Sequence, residues 1–245
     1  IILGVGIFLY PSISNYLAEK NHIDIIRNYD DLIVKIDEEK INEEKEKAKI
    51  YNENLSGDPV HDPFVIGSGY ALPENYKEVL NIAGDSVMGY VEIPKISVYL
   101  PIYHGTSDEV LEKGVGHIQN TSVPIGGKSA HSVLTGHTGL PNAELFTRLD
   151  ELGIGDIFYI HVLDDVLTYK VFETKVILPD KIDELQILNG KDYITLVTCT
   201  PYGVNSHRLL VKAERVEYEE YSVTKSTTDE EGTDTKKESS SKHYY

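Results

Sequence analysis

A single thiol, one imidazole at a strand end and one guanidinium are the side chains of this sequence whose types and spacing can do chemistry together. Cys199 is the only cysteine among 245 residues, so neither an internal disulfide nor a multi-cysteine metal site can form. It ends the β-branched run Ile194-Thr-Leu-Val-Thr-Cys-Thr200, which stops at Pro201-Tyr-Gly203. A nucleophile at such a place is held by a rigid strand and reached through the loop. Eight residues separate it from Arg208, with the turn formers Pro201, Gly203 and Asn205 between them. Two adjacent strands would then set thiol and guanidinium on one surface. An arginine stays charged, donates several hydrogen bonds to a carbonyl or oxyanion, and lowers the pKa of a nearby thiol. The interval is longer than in the Cys–Arg loops that cradle phosphate.

A thiol nucleophile needs a proton partner, and nine histidines are available. His137, in Leu134-Thr-Gly-His-Thr-Gly139, is the best placed, at the end of a β-rich run and just before a Gly-Leu-Pro-Asn turn. His104, His117, His131 and His161 lie in or beside strand-like runs and read as structural imidazoles; His207, next to Arg208, reads as a residue that orients the turn. The alternative for Cys199 is a buried, inert side chain. The acidic residues form no spaced ligand loop, so no metal and no cofactor are expected.

The elements that must position these groups follow from periodicity. Between about residues 85 and 220 the pattern has period two and is rich in β-branched and aromatic residues. Strands are predicted near 87–93, 97–102, 114–118, 130–136, 156–162, 166–177, 193–200 and 208–218, with brief helical signals at 110–113 and 145–151. Short strands joined by Gly, Pro, Asn and Asp favour a barrel or sandwich. From 22 to 54 the pattern is helical: Ile25, Ile26, Tyr29, Leu32, Ile33 and Ile36 recur at three- and four-residue steps. This predicts one amphipathic helix or two, whose Glu/Lys-rich second half reads as a solvated face.

The ends differ from the middle. Residues 1–18 carry no charge, close to the ~20 residues that cross a bilayer, and are expected to be the outer part of a membrane anchor that starts upstream. Residues 222–245 hold almost no aliphatic side chain and are expected to be a disordered polar tail. The formal charge of −17 argues against an electrostatic grip on nucleic acid.

At this point the residues resemble a known family. Thr195-Leu-Val-Thr-Cys199 followed by Arg208 resembles the signature of sortases, the cysteine transpeptidases of Gram-positive cell surfaces, and Thr135-Gly-His-Thr138 resembles the segment that holds their catalytic histidine. The resemblance implies a mainly β fold, a closed eight-stranded sortase-type barrel (residues 71–221) preceded by N-terminal helices (19–54) and a lid segment (55–70). It implies His137, Cys199 and Arg208 as catalytic residues and Thr198 as a substrate-binding neighbour. Asp62-Pro63-Phe64 resembles the lid of the class C, pilus-assembling members, an autoinhibitory cover of the active site. Implied too are cleavage of a Leu-Pro-x-Thr-Gly-like (LPxTG-like) sorting signal between Thr and Gly, a thioester acyl-enzyme, and transfer to a pilin lysine at the outer face of the membrane. The alternatives are a housekeeping or class B-like sortase that uses the cell-wall precursor as acceptor, and a non-catalytic surface module.

Overall fold

The computed structural model describes residues 2–55 and 75–217. Asp62, Pro63 and Phe64, most of the lid segment and the tail 222–245 lie outside the described residues.

Eight strands occur where alternation predicts them: β1 (Val87–Ile93), β2 (Val98–His104), β3 (Val115–His117), β4 (Ala130–Thr135), β5 (Ile157–Val162), β6 (Asp165–Ile177), β7 (Asp192–Thr200) and β8 (His207–Val216). They close into a barrel in the order β1-β2-β3-β4-β7-β8-β6-β5. Two neighbouring pairs, β2 with β3 and β4 with β7, are parallel and therefore need crossovers; the other pairs are antiparallel. Closure at β1 and β5 depends on Gly89, where a Cβ would lie 2.2 Å from the His161 carbonyl oxygen.

Alternation sends Leu134, Ile194, Leu196, Leu209 and Val211 into the main core. The residues between them face outward, where Val133, Val197 and Leu210 form a second cluster with Ile118 and Leu185. Leu185 belongs to a 3₁₀ turn, Ile182–Leu185, in the β6–β7 connection. Glu184 of that turn pairs with Lys175 and Lys212, and these two ammonium groups hold its carboxyl down at about 2. The connection is thereby tied over the outer face of β6 and β8.

Two helices precede the barrel. α1 (Ile2–Lys35) continues without a break through residues 18 and 19, and α2 (Glu38–Asn54) starts after Asp37. Ile26, Tyr29 and Ile33 of α1 are buried in the barrel core cluster, as the helical periodicity predicts. Tyr29 Oη accepts from Leu163 N at 2.8 Å, and His22 Nε2 lies 2.9 Å from the Lys113 carbonyl. The solvated reading of the Glu/Lys half of α2 needs correction. Ile41, Glu44, Ala48 and Tyr51 form a buried stripe, and Lys45 bridges Asp164 and Asp165 of the β5–β6 turn at 2.6 and 2.7 Å. The charges of α2 look self-sufficient along the helix, but the barrel turn that completes the pattern is distant in the chain.

Leu9, Tyr10, Ile13, Tyr16 and Leu17 of α1 are exposed. No helix among the described residues is long and apolar enough to cross a membrane.

Candidate active site

The site lies on the outer face at one end of β4, β7 and β8. Cys199 on β7 pairs directly with Arg208 on β8, and the register runs back without a slip to Tyr193 and Glu214. On the other flank β4 pairs with β7 in parallel, ending at Thr135 opposite Val197. His137 stands two residues beyond that last pair, on the segment that leaves β4 at the Cys199 end of β7. The three sequence-predicted residues therefore gather at one end of three neighbouring segments in the order His137, Cys199, Arg208.

β7 itself holds the turn that carries His137. Gly136 N donates to Val197 O at 3.1 Å, and Thr198 Oγ donates to Gly136 O at 2.7 Å. Both polar backbone groups of the residue before His137 are thus bound to the two residues before Cys199. On the far side Phe146 N donates to His137 O at 3.1 Å, and the fully buried Phe146 ring lies where a Cβ on Gly136 would approach it to 2.9 Å. Thr198 is itself buried, on the opposite side of β7 from Cys199, so its hydroxyl serves the His137 turn.

The Cys–Arg turn is ordered by its own backbone. Val204 N and Asn205 N both donate to Pro201 O, at 3.0 and 2.9 Å, and Asn205 takes a positive φ of 58°. That conformation suits Asn and turns the Asn205 carbonyl to accept from Arg208 Nη1 at 3.1 Å; His207 O accepts from the same atom at 3.0 Å. Arg208 is 5% exposed and Cys199 9%, so the guanidinium is fixed in place and the sulfur is nearly covered. Cys199 and Arg208, directly opposite each other, thus share one face of neighbouring strands.

His137 is half-buried, and burial pushes its pKa below the usual imidazole value. Asp108 and Glu112 push it back up. Both belong to or flank a short helix, α3 (Asp108–Leu111), whose start is capped by Ser107. Sequence reasoning misses these carboxylates: the helical signal is legible, but its approach to His137 comes from the β2–β3 crossover. His22, His104, His117 and His131 are buried and structural. His117 is fully buried with Nε2 2.8 Å from Ser122 O and Nδ1 2.9 Å from Tyr76 Oη; burial lowers its pKa to about 3. Among the described residues no group of three His, Cys, Asp or Glu side chains could hold a metal ion.

Comparison with known proteins agrees with the barrel fold. A sequence model of the sortase domain matches residues 91–216. Sortase D of Bacillus subtilis (strain 168) is 33% identical over 131 residues, 52% of this chain and 63% of that protein, so the chain spans under two thirds of that relative's length. Among solved structures, sortase C of Streptococcus pneumoniae, described as informative on catalysis and pilin substrate specificity, superposes with a TM-score of 0.74. It is 40% identical and covers 80% of this chain and 97% of its own. Sortase C2 of Group B Streptococcus Pilus Island 1 gives a TM-score of 0.68 at 48% identity, covering 74% of this chain and 99% of its own.

Proposed function

Because this chain belongs to the sortase family, we propose that it is a pilus-assembling cysteine transpeptidase that acts on an LPxTG-like sorting signal. The observation that supports this most is the row of His137, Cys199 and Arg208 across three adjacent segments, fixed by the Cys199–Arg208 pairing and by the hold of β7 on Gly136. The similarity at 40% and 48% identity to sortase C structures, whose descriptions speak of pilins and pili, favours pilin over a cell-wall acceptor.

In this reading the Cys199 thiolate attacks the carbonyl carbon of the signal's threonine, and a C–S bond forms. Arg208 and backbone N–H groups stabilise the oxyanion or hold the signal's carbonyls. As the tetrahedral species collapses, the C–N bond to glycine breaks and the His137 imidazolium gives its proton to the departing amine. A thioester remains. An incoming lysine amine then attacks the thioester carbon, neutral His137 takes the ammonium proton, the C–S bond breaks, and an isopeptide bond and the thiolate result. The order of strengths is reasonable: a thiolate leaves a tetrahedral carbon far more readily than an amide nitrogen does, so the covalent step divides one hard barrier into two.

Two further parts of the reading rest on sequence. Residues 1–18 would hold the enzyme at the outer face of a membrane, and Asp62, Pro63 and Phe64 would cover the groove at rest. The test of the function is incubation with a pilin that carries an LPxTG-like signal and an acceptor lysine. Covalent ladders joined by a Thr–Lys isopeptide bond are expected, and none with Cys199→Ala. A product joined instead to a peptidoglycan amine would overturn the pilin assignment; ladders that persist in Cys199→Ala would overturn the chemistry.

A further inference from the structure

Two glycines bracket His137 in Thr135-Gly-His-Thr-Gly139, and each is approached by an aromatic ring. The contact of Phe146 with Gly136 is core packing, since Phe146 is fully buried. The second contact has no such reason. A Cβ on Gly139 would lie 2.8 Å from Tyr202 Cε2 and 3.1 Å from Cζ, so the Tyr202 ring stands close against Gly139. Yet Tyr202 is 69% exposed and adds little to the core. It belongs to the turn between Cys199 and Arg208, which the hydrogen bonds of Val204 and Asn205 to Pro201 make rigid. Gly139 belongs to the turn that follows His137, held by its own N–H donating to Thr147 Oγ at 3.0 Å, with a φ of +75° that favours glycine.

We propose that Tyr202 is a positioning residue: its ring, seated on Gly139, ties the rigid Cys199–Arg208 turn to the His137 turn and keeps the imidazole in register with the thiol. The hold of β7 on Gly136 fixes the start of the His137 segment; Tyr202 fixes its exit. Glycine is needed at 139 as the seat as well as for its φ, because any side chain would lift the ring. This role rests on the assignment of His137 and Cys199 given above.

The test compares wild type with Tyr202→Ala and Tyr202→Phe. Because the side chain is mostly exposed, neither substitution should change the melting temperature. Tyr202→Ala should lower kcat for cleavage of an LPxTG peptide about tenfold with KM within about twofold, since a small displacement of a catalytic group acts on the chemical step. Tyr202→Phe, which keeps the ring, should restore kcat. The pH profile of Cys199 alkylation by iodoacetamide gives a readout that needs no peptide: its midpoint should shift in Tyr202→Ala, as a displaced imidazole couples differently to the thiol, and stay in place in Tyr202→Phe. The proposal is overturned if Tyr202→Ala matches wild type in both assays, if its loss of activity tracks a lowered melting temperature, or if Tyr202→Phe fails as badly as Tyr202→Ala. A wild type that turns over no LPxTG peptide would sink the proposed substrate instead, while the alkylation profile would still decide the role of Tyr202.

Discussion

The outer face of β4, β7 and β8 carries a row of imidazole, thiol or hydroxyl, and cation twice. At the site the row is His137, Cys199 and Arg208. Further back along the same strands it is His131, Thr195 and Lys212, with Thr195 and Lys212 paired in register just as Cys199 and Arg208 are. The inner row is sealed. His131 Nε2 meets Thr195 Oγ at 2.7 Å and Nδ1 meets Gln186 O at 2.8 Å, while Lys212 pairs with Glu173 and Glu184. Its histidine is 2% exposed, and burial holds the pKa at about 4. The outer row stands where the strands end, with its imidazole half-exposed and its arginine bound through Nη1 to the carbonyls of its own turn. Residue class and strand geometry thus do not separate the proposed catalytic row from the structural one. The cover over the imidazole does: the β6–β7 connection seals His131 through Gln186 O, whereas His137 stands half-exposed where the strands end.

The largest expected effect breaks the two rows apart. Cys199→Ala should abolish acyl transfer and leave the denaturation midpoint in urea nearly unchanged. Thr195→Val should do the reverse: turnover stays near wild type, but the buried His131 Nε2 loses its partner, at a cost of about 1–3 kcal/mol of stability. Equal losses of activity from the two substitutions would mean that the inner row takes part in the chemistry. The contrast is measured by paired urea melts and product ladders.

Next is acid stability. The unfolded chain protonates its histidines near 6.5, whereas the folded chain keeps His131 neutral down to about 4 and His117 down to about 3. Below pH 6.5 the unfolded state therefore binds more protons, and stability must fall as pH falls. Across that window each buried histidine contributes a slope of about 1.4 kcal/mol per pH unit. Urea melts from pH 7 to pH 5 should show it, and His131→Gln should flatten the slope by one histidine's share. An unchanged slope would mean that His131 is not held neutral by burial.

Much of the fold and of the outer row is legible in the sequence. β-Branched alternation locates all eight strands, because each is half core and half cover, and strand-end placement singles out Cys199, Arg208 and His137. What alternation cannot give is which strands adjoin. The parallel pairings of β2 with β3 and of β4 with β7 depend on crossovers, and only they bring Asp108 and Glu112 near His137 or set Thr195 beneath His131. Tyr202 is unreadable for a related reason: its partner is a glycine, which leaves no side-chain signal of a contact. Thr198 stands out in the sequence as a neighbour of the thiol, but period two points it the other way, toward Gly136. The α2 stripe is hidden by its own charges, since Glu44 and Lys45 read as solvated until the β5–β6 turn is folded beside them.

The Gly136 anchor gives a mid-sized effect that belongs to the outer row alone. Thr198→Val keeps the shape and removes the 2.7 Å bond to Gly136 O, so the segment that carries His137 loses one of its two ties to β7. A lost hydrogen bond of about 1–1.5 kcal/mol, felt as misplacement of the imidazole, should lower kcat about tenfold and leave KM close to wild type. A rise in KM at constant kcat would instead assign Thr198 to substrate binding.

The smallest effect is electrostatic and separates the two imidazoles by the sign of their surroundings. Lys212 adds to the burial that keeps His131 neutral, whereas Asp108 and Glu112 oppose the burial that lowers the pKa of His137. Asp108→Asn or Glu112→Gln should therefore let the His137 titration, followed by NMR on its Cε1 proton, move to lower pH. Both carboxylates are exposed, so raising the salt concentration should reproduce the shift, as screening shortens their reach to ~8–10 Å and less. The same salt should leave His131 in place, because its cover excludes the ions. A His137 midpoint that stays fixed, or rises, in the two variants would show that α3 does not tune the imidazole, and the distinction between the rows would then rest on cover alone.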